Sequence, residues 1–231
     1  MSESKGRKSN FRKVQRIGIW VLIVFTFATI AIIVVNVFLR GDSIARNQIS
    51  DTNPHGKTPL LLDAPQWQLT DAFGKPASNK DFLGKVVVYD FIFTRCALVC
   101  PVMSMRMAEL QNTFKNMPNR DDLNFISISI DGEYDTPQVL RKYAYDPEVG
   151  VGADPEVWHF MTGKKSVVWP LVEQQFKLPV EAQPEVQGMP IAHSAKFVLA
   201  DKQGRIYNIY DPYDAQDRNA LIADIEKLLR K

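Results

Sequence analysis

Residues 17–39 carry no charged side chain and are dominated by Ile, Val, Phe, Leu, Ala and Trp. At about 1.5 Å rise per residue, a helix of this length reaches roughly 30 Å or more, the thickness of a bilayer's hydrocarbon core. A cleaved signal peptide has a shorter apolar stretch, ~7–15 residues, followed by a small-residue cleavage site. This run ends instead in Asn36-Val37-Phe38-Leu39-Arg40. A core helix of a globular domain would show a polar face, and this one shows none. The run is therefore read as a single uncleaved transmembrane helix. Lys5, Arg7, Lys8, Arg12, Lys13 and Arg16 precede it against only Glu3, while Arg40 and Arg46 behind it are offset by Asp42 and Asp51. The positive-inside rule then places the N-terminus in the cytoplasm and the rest of the chain across the membrane. The expected location is a bacterial inner membrane with the domain in the periplasm. A mitochondrial inner membrane fits the topology too, but the tail is not the Arg- and Ser-rich transit peptide that location usually requires.

The chain divides on this reading into a basic cytoplasmic tail (1–16), the transmembrane helix (17–39), a polar linker (40–59) and one folded domain (60–231). Hydrophobic residues at 45% and charged residues at 23% fit a globular domain. The net charge of +2 is concentrated in the tail and leaves the remainder mildly acidic, which excludes nucleic acid as a partner.

Within the domain, Trp67 to Thr70 predicts a short strand, and Val86 to Phe93 a buried one. Pro101 stands where a helix starts, at a position where its missing N–H costs little, and the helix is expected to reach Met117. Asn124 to Ile130 alternates as a strand. Thr136-Pro137 opens a second helix to about Tyr145, and Lys164 to Phe176 predicts a third. Ser194–Ala200 and Arg205–Tyr210 read as a hairpin, and the final helix runs from about Asp217 to Leu229. A crossover between parallel strands finished by an antiparallel hairpin is the layout of an α/β, thioredoxin-like fold.

The two cysteines, Cys96 and Cys100, are the only ones in the chain, placed between a buried strand and a helix start. Free N–H groups at a helix N-terminus favour thiolate over thiol. The spacing allows either a disulfide or a shared metal ion. A disulfide closing so short a loop is a poor staple, so redox or metal chemistry is the better account. Thiolates suit Cu(I), and an added imidazole admits Cu(II). Of the three histidines, His55 lies in the linker, His159 sits among apolar residues as a packing histidine, and His193 lies in a loop entering the hairpin. Met103, Met105 and Met107 cannot all face one ion, because helix positions two apart do not share a face. Asp131 and Asp135 follow a strand end, with helix capping expected of Asp135.

The combination of the anchor, Phe93-Thr94-Arg95-Cys96, Cys-x-x-x-Cys-Pro, Ile126 to Asp131, Asp135-Thr136-Pro137, Trp158 to Gly163, and His193-Ser194 leading to Phe197–Asp201 resembles the Sco (SenC) family. That resemblance implies copper held by Cys96, Cys100 and His193. It also implies a Cys96/Cys100 redox pair able to form a disulfide, and Asp131 as an acidic group near the site or in docking. The implied role is a metallochaperone that delivers copper to, or reduces the cysteines of, the copper-bearing subunit of cytochrome c oxidase or another copper protein. Two departures stand out: Ala97-Leu98-Val99 is wholly apolar where the family often has Pro and an acidic residue, and Gly132 replaces a frequent Pro. The alternatives are a thiol-disulfide oxidoreductase without copper delivery, with its own thiol reductant partner, and a redox or copper sensor. The short tail argues against direct signalling. A peroxidase is disfavoured, since Thr94-Arg95 directly before Cys96 does not reproduce a peroxidatic setting.

Overall fold

The computed structural model describes residues 59–184, 186 and 190–230. The tail 1–16, the apolar segment 17–39, the linker up to residue 58 and His55 within it lie outside the described residues. Among the described residues no helix is long and apolar enough to cross a membrane.

The chain enters with β1 (Gln68–Asp71) and β2 (Pro76–Ser78), an antiparallel pair. There follow β3 (Val86–Ile92), α1 (Cys100–Phe114), β4 (Leu123–Ser129), α2 (Pro137–Tyr145), β5 (Trp158–Thr162) and α3 (Lys165–Pro170). The last part is β6 (Val180–Ala182), β7 (Ile191–His193), β8 (Phe197–Ala200), β9 (Ile206–Tyr210) and α4 (Ala215–Leu229). Seven strands form one sheet in the order β2-β1-β5-β4-β3-β8-β9, and β6 and β7 form a separate two-stranded ribbon. β5, β4 and β3 run parallel, and β8 joins β3 antiparallel. This is the thioredoxin-like arrangement that the element order predicts.

β3 and β4 are buried at every position, as strands covered on both faces must be. Registered residues on neighbouring strands share a face, so Asp90, Ser127 and Phe160 look the same way. Tyr143 of α2 packs on Phe160 and shares a hydrogen bond with Ser104 of α1, which places α1 and α2 over that face. Tyr89 and Phe91 point to the other face and meet Phe176 edge-on. Helical layers therefore cover both sides.

Several boundaries differ from the sequence expectation. The strand β5 was not anticipated: five residues with two polar members, His159 and Thr162, are too few to display a period. His159 is a packing residue as expected, with Nε2 2.9 Å from Asn124 Oδ1 and its ring against Phe82. The expected helix 164–176 is split. Pro170 lacks an N–H, and the ladder slips behind it into a π turn over Leu171–Gln175, with Phe176 N bonding to Leu171 O. α4 starts before Asp217, because Asp214 caps it by accepting from the Asp217 N–H at 2.9 Å. His193 lies on a strand of the ribbon rather than in a loop.

Candidate metal centre

The site begins where β3 runs out. Its apolar side chains hold the strand in the core up to Phe93, and the chain then turns, with the Cys96 N–H bonded to Phe93 O at 3.1 Å. α1 opens on Cys100-Pro101, and its N-cap, Val99, supplies no side-chain acceptor. The first amides are therefore left for another acceptor, and the Cys96 sulfur takes that place. Cys96 and Cys100 are free thiols, 4% and 1% exposed.

The two thiols are driven apart. A hydrogen bond from Cys100, with the Cys100, Leu98 and Val99 amides behind it, lowers Cys96 to about 5 against the cost of burial. Cys100 moves up, because it serves as the donor to Cys96 and is itself buried. His193 Nε2 lies 3.7 Å from Cys100 Sγ, and Phe93 meets the imidazole edge-on at 5.9 Å. Burial pulls the imidazole pKa down, only partly opposed by the Cys96 charge, so the ring is neutral and its lone pair available. Its Nδ1 is buried without a hydrogen-bond partner among the described residues. The structure thus brings His193 to Cys100 and Cys100 to Cys96. Among the described residues, however, no three His, Cys, Asp or Glu side chains are already grouped closely enough to hold an ion.

Both shoulders of the cysteine loop are pinned. On one side Asp135, fully buried, accepts from the Thr94 N–H at 3.0 Å, from the Thr94 hydroxyl and from the Ser129 hydroxyl at 2.6 Å. Burial raises its carboxyl pKa while these donors pull it back. The helix-capping role expected of Asp135 is corrected: Thr136 caps α2, accepting from the Val139 N–H, and Asp135 ties β4 to the loop instead. Asp131, 8% exposed, accepts from Arg95 Nε at 2.6 Å, and the Arg95 guanidinium lies 5.0 Å from the Tyr134 ring centre. On the other side the Tyr213 hydroxyl donates to Val99 O at 3.1 Å. Sequence reasoning missed Asp135's tie, Arg95 and Tyr213. An acidic residue four positions past Asp131 at a strand end was a signal for the first, and nothing local marks Tyr213.

Met103 and Met107 are fully buried and Met105 is 48% exposed, so the three diverge as helical spacing requires. Gly132 is closely packed: a Cβ there would overlap the Gly163 carbonyl oxygen.

The family model described as SCO1/SenC matches residues 58–230. A SCO1 protein homolog from Bacillus subtilis is 29% identical over 171 residues, covering 74% of this chain and 84% of the relative. The structure of a SCO1/SenC family lipoprotein from Bacillus anthracis is 29% identical, with a TM-score of 0.62 over 74% of this chain and 98% of that one. BsSco, described as a member of the Sco family of cytochrome c oxidase assembly proteins with a disulfide switch, is 28% identical, with a TM-score of 0.63 over 75% and 97%. ScoI from Bradyrhizobium japonicum, solved with copper bound, is 25% identical, with a TM-score of 0.59 over 71% and 98%. With a match across the whole described domain, the strand–cysteine-loop–helix site and the fold in agreement, the chain belongs to the SCO1/SenC family.

Proposed function

We propose that the chain is a membrane-anchored copper metallochaperone: Cys96, Cys100 and His193 take a copper ion as cargo and pass it to the copper-bearing subunit of a cytochrome c oxidase or a similar copper protein. The observation that carries this reading is the approach of a neutral imidazole to 3.7 Å from a buried thiol whose partner cysteine is already acidified. Two soft sulfurs and one nitrogen suit Cu(I) and also admit Cu(II). Loading would draw His193 and Cys96 onto a common ion at Cys100. Three protein ligands leave one side open, from which an acceptor's ligands can take over one at a time. The relatives described as copper-bound or as oxidase assembly proteins support the same cargo. Residues 17–39 act as the anchor, 1–16 as the cytoplasmic tail and 40–59 as the spacer that holds domain 60–231 in the periplasm of a bacterial inner membrane.

A second reading is favoured by the Cys96 thiolate itself. With a pKa lowered to about 5, Cys96 is ionised at neutral pH and can open a partner's disulfide, with Cys100 as the resolving thiol. The oxidised pair would then need a thiol reductant. Reduction of the acceptor's cysteines and delivery of copper use one site in its two states.

The test is copper bound per chain in the full-length protein, reduced and loaded without oxygen in detergent micelles. One copper per chain is expected, with weaker retention in His193→Ala and none in Cys96→Ser/Cys100→Ser. No specific copper in a folded, fully reduced protein would overturn the chaperone reading and leave the reductase.

A further inference from the structure

Arg95 is the residue immediately before Cys96, and its side chain is only partly committed. Nε donates to Asp131 at 2.6 Å, which fixes the plane of the guanidinium, and the Tyr134 ring lies 5.0 Å from its central carbon. Among the described residues neither Nη group donates a hydrogen bond, and the side chain is 47% exposed. A guanidinium held by one edge, with its outer N–H groups facing water, is a fork already oriented for a second carboxylate.

The surroundings are those of a contact surface. Leu98 is 56% exposed, Tyr134 50% and Tyr213 45%. Tyr134 flanks the cysteine loop on the Arg95 side, and Tyr213 flanks it through its bond to Val99 O. Arg and Tyr on a rim around a reactive centre are the residue types that dominate binding energy at protein interfaces. The apolar stretch Ala97-Leu98-Val99 adds no acidic residue that would compete for the guanidinium.

We infer that Arg95 is a carboxylate-recognition site at the mouth of the Cys96–Cys100 pair, so that the protein partner docking there presents an acidic side chain beside its own sulfur ligands. The inference rests on the proposal that a partner meets the chain at this pair. Within that, it assigns the chemistry of the partner's surface and the residue that reads it.

Thiol-disulfide exchange of the metal-free, reduced protein with small disulfides of opposite charge isolates the effect. The Cys96 thiolate attacks the probe disulfide, forming a mixed disulfide and releasing one probe thiolate. Cys100 then gives up its proton to solvent and attacks Cys96 Sγ, releasing the second probe thiolate. The pair loses two electrons and the probe gains them. Oxidised glutathione supplies carboxylates, and cystamine supplies ammonium groups on a similar disulfide.

Removing Arg95 alone would leave Asp131 uncompensated, so the comparison is made in Asp131→Asn. Arg95→Gln in that background is expected to lower the glutathione-to-cystamine rate ratio about fivefold, the scale of one exposed charge-assisted contact. Arg95→Lys, which keeps the charge but loses the fork, should fall in between. An unchanged ratio in Arg95→Gln/Asp131→Asn relative to Asp131→Asn, with both proteins folded by circular dichroism, overturns the inference. Because no metal is present, that failure leaves the copper reading untouched, and a failure to bind copper leaves this ratio still measurable.

Discussion

Cys96 and Cys100 are the same residue type four positions apart, yet their thiols move in opposite directions. The difference is positional: Cys96 faces the open amides ahead of α1, and Cys100 is the donor within the helix. Ultraviolet thiolate absorbance of the metal-free protein is expected to show one thiolate forming with a midpoint of about 5. The signal should be lost in Cys96→Ser and shifted upward in Cys100→Ala, whose hydrogen bond is gone. Two thiols titrating near about 8.5 would refute the assignment. Asp90 is the other unusual residue. It is fully buried on the face beneath α1 and α2, and among the described residues no donor meets either carboxylate oxygen in good hydrogen-bond geometry; Ser127, opposite in register, pulls its pKa back only weakly against burial. Burial raises its pKa from 3.8 to about 7. Between those values the folded protein holds a proton that the unfolded chain releases. The contribution is therefore fully favourable at low pH and is lost as pH rises through about 7, at no more than ~1.4 kcal/mol per pH unit. Asp90→Asn should remove that slope, gaining on the parent between about pH 4.5 and pH 8 in urea titrations. Parallel stabilities at the two pH values would show that Asp90 titrates normally.

At the scale of elements, the junction between the end of β4 and the start of α2 holds the cysteine loop. Asp135 satisfies the Thr94 amide, the Thr94 hydroxyl and the Ser129 hydroxyl together. Asp135→Ala leaves those donors buried without an acceptor, at a cost of about 2–4 kcal/mol, and Asp135→Asn, which keeps an acceptor, should cost less. Chemical denaturation measures both, and the alanine variant is also expected to hold copper more weakly, because the segment before Cys96 loses its tether. Equal stability of the two variants would assign the site's rigidity elsewhere. Local signals revealed much of this region and missed the rest for a reason. Pro101 and Thr136-Pro137 mark helix starts by their own backbone chemistry, so α1 and α2 were legible to within a residue or two at their starts. Asp135's partner Thr94 lies 41 residues away, and the proximity of Gly132 to the Gly163 carbonyl spans two strand ends, so no short sequence window contains either.

For the whole molecule, the central strands were readable for different reasons: β3 is apolar at all but Asp90, and β4 alternates apolar with small polar residues. β5 and the ribbon were not, since they are only five and three residues long and depend on neighbours for definition. The proposed anchor makes a prediction at this scale. In bacteria expressing the full chain, protease added to intact spheroplasts should release the 60–231 domain, while 1–16 stays protected and alkaline extraction leaves the remnant in the membrane. Protection of the domain until lysis would reverse the proposed orientation. Another consequence lies in the ribbon that carries His193. Its ladder has three rungs, Val180 to His193, Glu181 to Ala192 and Ala182 to Ile191, and among the described residues it shares no strand pairing with the seven-stranded sheet. The cysteines are mounted on the core and the imidazole on a latch. Lifting that latch breaks three rungs and uncovers Val180 and Ile191 but leaves the seven-stranded sheet paired, so substitutions at the ribbon's exposed positions, Glu181 and Ala182, can reset the dwell time of a bound ion more than they move the melting temperature of the domain.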